Sequence, residues 1–362
     1  MRRPFSLSLS LSLSPAFDCR SLARDLNRQG YAVFDFPDRD IDEKIEGLKR
    51  DFQSRYDWEA WRAGKLDSLR IQDAWKDDAR VRDIAANPIV LSLLSALYGR
   101  PAFPFQTLNF AVGTQQAAHA DYTHFNSIPD RFMCGVWLAF EDVDEENGPL
   151  FYYPGSHKWP TYQNEHLGIS HTEVTKGYPE YSRYVDLWER LAEHQGLKRE
   201  TFCAKKGQAL IWASNLVHGG SVQKDKMRSR WSQVTHYFFE GCGYTSPVAN
   251  DTYNGRILFR DVVDIRTGQV VPNVINGHTV TEAVRETAKP DLMAPGPELN
   301  AIIANIARKI AVSRYKTHQD LPAEFDAGDY LEANPDLVQA RADPYQHYVL
   351  FGKAEGRRLR VD

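Results

Sequence analysis

The sequence has little of what three large classes of protein require. Among 362 residues there are 4 cysteines and no C-x-x-C pair, so neither a disulfide framework nor a zinc knuckle is expected and a reducing compartment is favoured. No stretch reaches the roughly 18 continuous apolar residues of a membrane helix; the best candidate is the interrupted run 89–98. The net charge of -4 provides no basic field for nucleic acid or anionic lipid. We therefore expect a soluble, cytoplasmic protein without a membrane span that binds no nucleic acid.

Aromatic residues are abundant, at 12% of the chain, and concentrate in its middle, which favours a β-rich core. Short aromatic and β-branched runs separated by Gly, Pro and Asn occur at 107–112, 132–140, 151–153, 209–213 and 233–239. This density of short strands predicts a sandwich or barrel. Helical patterns come before it at 19–29, 42–61 and 78–98, and interrupt it at 180–196. The fold is thus expected to be mainly β with flanking helices.

The two ends of the chain differ in character from the main domain, which we place at 18–289. Residues 1–17 alternate Ser and Leu, which prevents the continuous apolar core of a signal peptide, and we interpret them as a disordered low-complexity segment rather than a targeting one. Residues 290–320 predict a Pro- and Gly-containing linker and a basic amphipathic helix, and 321–362 a small helical module. The last carries A-N-P-D at 333–336 and H-Y-x-x-F-G-x-x-E-G-R at 347–357.

These C-terminal motifs resemble a short module appended to bacterial surface-polysaccharide and glycosyltransferase proteins. The resemblance implies a bacterial origin and an envelope or glycan context. A plain structural cap explains the same residues equally well.

The triplet His119-Ala120-Asp121 holds two potential metal ligands two residues apart, a spacing that on a strand sends both side chains to one face. Iron(II) oxygenases bind their metal through two imidazoles and one carboxylate and leave three positions free. A second histidine is therefore needed. We choose His218, which we place at the end of a strand, beside Gly219 and Gly220, whose small size lets a ligand approach the backbone.

A second copy of the triplet occurs at His318-Gln319-Asp320. Chance alone gives on the order of one such triplet in a chain of this composition. The second copy follows the basic helical pattern and has no strand around it, so we treat it as a chance occurrence.

Two arginines follow His218, namely Arg228 and Arg230, on the way into the run 233–239. A guanidinium offers a planar pair of donors for the far carboxylate of a metal-bound dicarboxylate. A lone arginine is more often a solvated surface charge, so the assignment depends on its neighbours.

In this order, the H-x-D triplet, the distant histidine and the downstream arginine resemble the phytanoyl-CoA dioxygenase family of iron(II)- and 2-oxoglutarate-dependent oxygenases. The resemblance extends from about residue 30 to 239 and includes W-L-A-F-E-D at 137–142, N-G-P-L at 147–150 and P-G-S-H at 154–157. It implies a double-stranded β-helix, or jelly roll. It also implies that His119, Asp121 and His218 bind Fe(II), with 2-oxoglutarate and O₂ as co-substrates.

By the same resemblance Arg230 holds the 5-carboxylate of 2-oxoglutarate and Trp137 frames that co-substrate. Arg228 is the competing candidate; Arg230 is preferred because its spacing to the dipeptide 236–237 resembles the family's. The sequence departs from the family at Gln208, where an acidic residue is frequent, and in a slightly long 218–230 loop. Two further polar residues, Gln106 and Ser221, are expected to contact the co-substrate. Candidates to face substrate or co-substrate, with ordinary hydrogen bonding in the sandwich as the favoured alternative for each, are Gln115, Gln116, Tyr122, His124, Asn126, Tyr152 and His157. His157 is expected to shape the site without binding metal.

The family also contains halogenases, in which a small residue replaces the metal carboxylate; Asp121 occupies that position, so hydroxylation is favoured. The implied reaction converts 2-oxoglutarate to succinate and CO₂ while an aliphatic C–H of a small-molecule, lipid or glycan-related substrate is hydroxylated. Two alternatives are a non-catalytic jelly-roll module that recognises a glycan and a cupin-like isomerase with another metal. A binding module has no need of all four residues, and the isomerase has no use for Arg230. Neither the substrate nor the oligomeric state can be read from the sequence.

Overall fold

The computed structural model describes residues 18–169, 180–251, 255, 257–280, 321–322, 324–339, 342 and 344–360. The expectations for residues 1–17, for the linker and basic helix at 290–320, and for the second H-x-D triplet lie outside these residues. The chain divides into two compact units, 1–290 and 291–362, which we describe separately.

The first unit is built around short antiparallel strands. In chain order they are β1 Tyr31–Asp35, β2 Arg70–Gln72, β3 Ala102–Phe110, β4 Asn126–Ile128, β5 Met133–Ala139, β6 Leu150–Tyr152, β7 Glu200–Phe202, β8 Gln208–Ala213, β9 His218–Gly220, β10 Ser232–Phe239, β11 Gly243–Thr245, β12 Val262–Asp264, β13 Gln269–Val271, β14 Val274–Ile275 and β15 His278–Thr279. The major sheet has the order β1-β8-β5-β10-β3-β2, and smaller sheets have the orders β7-β6-β9 and β11-β4. The predicted runs all coincide or overlap with strands of these sheets.

Residues inside the major sheet are buried on both of its faces. Along β5, Val136 and Leu138 pack into the core beneath the helices, whereas Trp137 and Ala139 join an inner cluster that includes Tyr152 of β6. This alternation follows from the two-residue period of a strand and explains why every residue of β5 is buried. The inner cluster lies between the major sheet and the β7-β6-β9 sheet, so the core is a double-stranded β-helix, and the predicted fold class is confirmed.

Helices cover the outer face of the major sheet. They are α1 Cys19–Gln29, α2 Ile41–Phe52, α3 Trp58–Arg62, α4 Ala79–Ala85 and α5 Pro88–Tyr98. The later insert contributes α6 Ser182–His194, which packs in a separate cluster with Tyr122 and Trp159. The side chain of Asp18 accepts a hydrogen bond from the backbone N–H of Ser21 at 3.0 Å, and α1 ends at Gly30 with φ 91°. The helical pattern predicted at 42–61 forms two helices: the first ends at Phe52, and α3 begins after the cap Asp57.

One segment of the described residues, Ala79–Tyr98, is long and apolar enough to cross a membrane by length and composition. It comprises α4 and α5, and between them the Asn87 side chain accepts hydrogen bonds from the N–H groups of the next helix. Half of its most apolar window is buried. The same properties are expected of core helices.

The second unit contains α7 Ala327–Ala333, α8 Pro335–Gln339 and α9 Pro344–His347, followed by a single wide turn at Tyr348–Gly352. Its small core contains Tyr330, Leu337 and Tyr348. The motif residues hold it together: Asn334 donates to the carbonyl oxygens of Tyr330 and Arg358, both at 2.8 Å. Arg357 pairs with Asp336 at 2.8 Å. The two C-terminal motifs are therefore joined to each other within one small helical unit.

Candidate metal centre and co-substrate cavity

Two distant segments meet at the histidines of the site. His119 and His218 form an isolated antiparallel bridge, in which each backbone N–H donates to the other's carbonyl at 2.8 Å. The pairing brings the imidazole ring centroids to 4.3 Å from each other. Both side chains are buried. Backbone pairing therefore brings the two rings next to each other.

Each of these rings is oriented by its own backbone. Nδ1 of His119 lies 2.9 Å from the carbonyl oxygen of Ala117, and Nδ1 of His218 lies 2.9 Å from that of Leu216. A carbonyl only accepts, so Nδ1 carries the proton and Nε2 keeps its lone pair for a metal. Burial lowers the pKa of His119 to about 3, which keeps the ring neutral at physiological pH.

Asp121 completes the cluster from a turn and not from a strand. Its Oδ1 lies 3.7 Å from Nε2 of His119 and 3.8 Å from Nε2 of His218. Both distances are below the roughly 4.2 Å that two metal–ligand bonds of about 2.1 Å can span. Asp121 starts the one-turn helix Asp121–Thr123, whose Tyr122 N–H donates to the carbonyl of Ser214 at 2.9 Å. The strand predicted for the triplet is thus wrong, because pairing ends at His119 and the chain turns.

The second oxygen of Asp121 lies next to two residues that the sequence analysis did not select. Trp212 Nε1 donates to Oδ2 at 2.6 Å, and Nε2 of His236 lies 3.6 Å from the same oxygen. Burial by itself would raise the pKa of the Asp121 carboxyl, but His218, His236 and His119 and the indole N–H hold it below its usual value. The carboxylate is therefore ionised, with Oδ1 turned towards the two imidazoles.

A glycine makes the contact of Trp212 possible. Gly135 lies directly opposite Trp212 in the β5–β8 pairing, and a Cβ at Gly135 would collide with the indole ring. The missing side chain lets the ring lie flat across β5 and point its N–H at Asp121. A glycine inside an otherwise apolar strand, facing a tryptophan, is the sequence signal that could have identified this pair.

Replacing Trp212 by phenylalanine is expected to weaken metal binding by about 10- to 100-fold, the usual effect of losing a hydrogen bond to a metal ligand. Phenylalanine keeps an aromatic side chain at this position, whereas the 2.6 Å bond to Asp121 is lost. Titration of the apoprotein with Fe(II) without oxygen measures the effect. Trp188→Phe is the matched control, since that tryptophan of α6 is buried next to Tyr122 and Tyr184. Equal affinities in both variants would show that Trp212 does not position Asp121.

The cluster opens into a cavity of about 240 Å³. Its walls come from β2, β3, β5, β8 and β10 of the major sheet on one side and from His119 and β9 on the other. The lining residues are Arg70, Gln72, Gln106, Leu108, Phe110, Thr114, Gln116, His119, Asp121, His124, Phe125, Trp137, Leu150, Trp212, His218, Gly219, Arg230, Val234 and His236. The volume suits a small organic acid beside a metal ion.

Arg230 is a fully buried cation on the wall of this cavity. Its Nη1 donates to Ser232 Oγ at 3.0 Å, whereas Nε and Nη2 are buried without a hydrogen-bond partner. Burial lowers the pKa of the guanidinium to about 10, so the group stays positive at neutral pH. Unsatisfied N–H groups on two nitrogens of a buried cation are costly unless an anion accepts hydrogen bonds from them. Arg228, in contrast, is solvent-accessible and pairs with Asp144 at 2.8 Å outside the cavity.

The other residues selected from the sequence divide into two groups. Trp137 lines the cavity, 5.5 Å from the guanidinium carbon of Arg230, with an unpartnered Nε1. Gln106 lines it as well and accepts from Nδ1 of His236 at 2.9 Å. Ser221, predicted to contact co-substrate, is not among the lining residues and accepts instead from Arg199 at 2.9 Å. The chain turns outward after Gly220, which explains the difference.

The same division holds for the remaining polar residues. His124 and Gln116 line the cavity, whereas Gln115, Tyr122, Asn126, Tyr152 and His157 do not. His157 contacts the carbonyl oxygen of Asn27 at 3.1 Å, which ties its turn to α1. Burial lowers the pKa of His157 to about 4. Its part in the fold is structural.

The glycines after His218 allow close approach of another chain segment, whereas the expectation was that they let a ligand approach the backbone. A Cβ at Gly219 would lie 2.6 Å from the carbonyl oxygen of Gln116, and one at Gly220 would lie 2.8 Å from the N–H of Gln115. They make room for the chain segment before His119 and for the bridge between the histidines. Gly219 additionally borders the cavity.

Comparison with known proteins agrees with this geometry. The model of the family described as Phytanoyl-CoA dioxygenase (PhyH) matches residues 26–228. No curated protein matches the sequence.

Similar solved structures have low sequence identity. The epimerase SnoN, in complex with Fe³⁺, alpha ketoglutarate and nogalamycin RO, is 20% identical with a TM-score of 0.49; 62% of this chain and 85% of that one are covered. The carbocyclase SnoK from nogalamycin biosynthesis is 14% identical with a TM-score of 0.48, over 64% and 87% of the two chains. EctD from S. alaskensis with bound Fe is 17% identical with a TM-score of 0.47, over 66% and 82%.

Proposed function

Since the chain belongs to the phytanoyl-CoA dioxygenase family, and is therefore an iron- and 2-oxoglutarate-dependent dioxygenase, we propose that it hydroxylates an aliphatic C–H of a small-molecule, lipid or glycan-related substrate. In this reaction one atom of O₂ enters succinate, formed with CO₂ from 2-oxoglutarate, and the other enters the new hydroxyl group. The observation that carries the proposal is the cavity in which a two-histidine, one-carboxylate cluster and a buried arginine with free donors face the same space.

In this proposal Nε2 of His119, Nε2 of His218 and Oδ1 of Asp121 hold Fe(II). The ligand atoms of the three residues lie within 4.8 Å of one another and all three residues are buried. Two neutral imidazoles and one carboxylate are the donor set that suits this metal and leaves positions for co-substrate and O₂. The bound iron would supply the activation of O₂ and the oxidative decarboxylation of 2-oxoglutarate.

Arg230 is proposed to bind the 5-carboxylate of 2-oxoglutarate. The carboxylate would accept from Nε and Nη2, the two donors that lack a partner, while Ser232 keeps Nη1 in place. Trp137 lies against the guanidinium and has a free indole N–H towards the same region. The chain thereby fixes both ends of the co-substrate and excludes water from its apolar middle, between Phe110 and Val234.

The two alternative readings lack support from the site. A glycan-binding module has no use for a buried guanidinium with two free donors, whose burial costs stability unless an anion binds. An isomerase of the cupin type would not need a dicarboxylate anchor. The carboxylate at Asp121 occupies the position that a halide needs, which favours hydroxylation over halogenation.

Anaerobic addition of Fe(II) and 2-oxoglutarate is expected to give the weak visible charge-transfer absorption of this class, since the chelate requires both the triad and Arg230. Absence of the band from well-folded protein would falsify the co-substrate assignment. With O₂, the same sample should form succinate slowly without substrate and faster with it. Screening succinate formation against a panel of metabolites then identifies the substrate.

A cytoplasmic location in a bacterium is also proposed. The four cysteines are free, three of them buried, which suits a reducing compartment. The C-terminal motifs resemble a module of bacterial proteins. Fractionation of the source cells, with the protein followed by antibody, tests the location; recovery in the envelope fraction would contradict it.

A further inference from the structure

The edge strand of the major sheet directs two polar side chains into the cavity. In the pairing of β2 with β3, Arg70 lies opposite Phe110 and Gln72 opposite Leu108. Residues two apart on a strand share a face. Accordingly Arg70 and Gln72 line the cavity, whereas Ile71, between them, packs against the core under the helices.

The side chain of Arg70 is exposed and makes no hydrogen bond or ion pair with a described residue, whereas its backbone belongs to the β2–β3 pairing. Asp67 borders the same outer depression. An arginine on an edge strand can serve merely to prevent pairing with other strands, but such a residue needs no place in a cavity wall. Arg70 is also the only cation besides Arg230 among the residues that line this cavity.

The charges around the cavity leave one positive charge uncompensated. Asp121 is the only carboxylate among the lining residues, and Arg70 and Arg230 are the only guanidinium groups. Iron(II), Asp121, Arg230 and the two carboxylates of 2-oxoglutarate together carry no net charge. The co-substrate therefore leaves the guanidinium of Arg70 available to another anion.

The surroundings of Arg70 are polar and open outward. Arg70, Thr114 and Gln116 line both the cavity and a neighbouring surface depression that also contains Ser68 and Gln115. Hydroxyl and amide groups next to a guanidinium suit a hydrogen-bonding molecule better than a hydrocarbon chain. A substrate that enters here passes Arg70 before it reaches the metal cluster.

We propose that Arg70 and Gln72 form a subsite for an anionic group, a carboxylate or a phosphate, of a small hydrophilic substrate. The inference rests on the proposed function and narrows its substrate class: a free aliphatic lipid does not use this subsite. The guanidinium would bind the anion through charge-assisted hydrogen bonds, and the Gln72 amide would add a neutral donor.

The test compares substrates in pairs that differ only in the anionic group, carboxylic acids against their amides and sugar phosphates against free sugars. Succinate formation above the substrate-free rate and the shift of the anaerobic charge-transfer band report turnover and binding. Acidic members should stimulate the wild type and their neutral partners should not. The type of pair that shows this difference, carboxylic acid or sugar phosphate, identifies the anion.

For the best acidic substrate, Arg70→Gln should raise KM roughly tenfold or more, the equivalent of a hydrogen bond to a charged group, with kcat nearly unchanged. Arg70→Lys should recover part of the loss. Arg28→Gln, which removes an exposed arginine of α1, is the matched control.

A wild-type KM in Arg70→Gln, or equal stimulation by neutral partners, would overturn the subsite. The band and the substrate-free succinate formation separate this failure from a failure of the proposed function. If both persist while the acid preference is absent, only Arg70 has been misassigned; if both are missing, the dioxygenase reaction itself is in doubt.

Discussion

Replacement of Asp121 by alanine is expected to abolish substrate hydroxylation, with a fall in kcat/KM of at least about 1,000-fold. Asp121 supplies the only carboxylate within the cluster and is 3.7 and 3.8 Å from the two imidazoles. Removing one of three ligands weakens metal binding and also frees a coordination position. The geometry in which the co-substrate binds is therefore lost as well. Product formation by mass spectrometry, at saturating Fe(II), measures the effect.

Two variants make this test specific. Asp320→Ala alters the second H-x-D triplet and should keep wild-type activity, because we treat that triplet as a chance occurrence. Asp121→Asn keeps the size and the acceptor for Trp212 but removes the charge, and is expected to retain weak iron binding with little turnover. Hydroxylation at the wild-type rate in Asp121→Ala would show that the carboxylate has been misassigned.

Much of the fold was predictable because its signals are local. The strands β5, β8 and β10 consist of apolar and β-branched runs bounded by turn residues, and α1 has both a capping Asp18 and a terminating Gly30. Such signals act within a few residues of chain. The interruption after Phe52 is not visible in the pattern, because the sequences of α2 and α3 are both helical. The sequence signal for it is Asp57, a good helix cap.

The metal cluster was predictable for a different reason. His119, Asp121 and His218 were chosen by residue type and order, and the structure brings their ligand atoms together. The sequence did not show how the three side chains are brought together, which is by a backbone bridge between His119 and His218 followed by a turn at Asp121. Both depend on contacts between segments about a hundred residues apart, which no local pattern specifies.

The residues around the cluster were the least predictable. Trp212 and His236 lie within runs that read simply as buried strands, and their polar atoms matter only because β8 and β10 direct them at Asp121. Ser221 shows the opposite error, since nearness in sequence to His218 did not place it in the cavity. The register of a strand determines which face of the sheet a side chain lies on, and a shift of one residue moves the side chain to the other face.

Replacement of Arg230 by methionine is expected to raise the KM for 2-oxoglutarate by 100-fold or more. The loss of a buried charge pair costs about 3–5 kcal/mol in bound complexes. Arg228→Met is the matched control, since Arg228 pairs with Asp144 outside the cavity, and its KM should stay within about twofold of wild type. The KM of Arg230→Lys should lie between those of wild type and Arg230→Met. An ammonium keeps the charge but lacks the planar pair of donors that binds a carboxylate through two hydrogen bonds.

The same substitution should not lower the stability of the protein without co-substrate and can raise it. Arg230 is fully buried, and two of its donors are unsatisfied, so an apolar side chain of similar length removes a desolvation cost. The free energy of unfolding of Arg230→Met is therefore expected to equal or exceed that of wild type. Thermal unfolding without ligand measures this.

Adding 2-oxoglutarate with a divalent metal then separates the two effects. At about 100 times its Kd a ligand stabilises the native state by roughly 2.7 kcal/mol, so wild type should gain several degrees in Tm whereas Arg230→Met should gain little at the same concentration. An apoprotein that unfolds more readily than wild type would mean that Arg230 stabilises the fold through contacts other than Ser232. Equal ligand-induced gains in both proteins would mean that the dicarboxylate is held by another cation, for which Arg70 is the candidate in the same cavity.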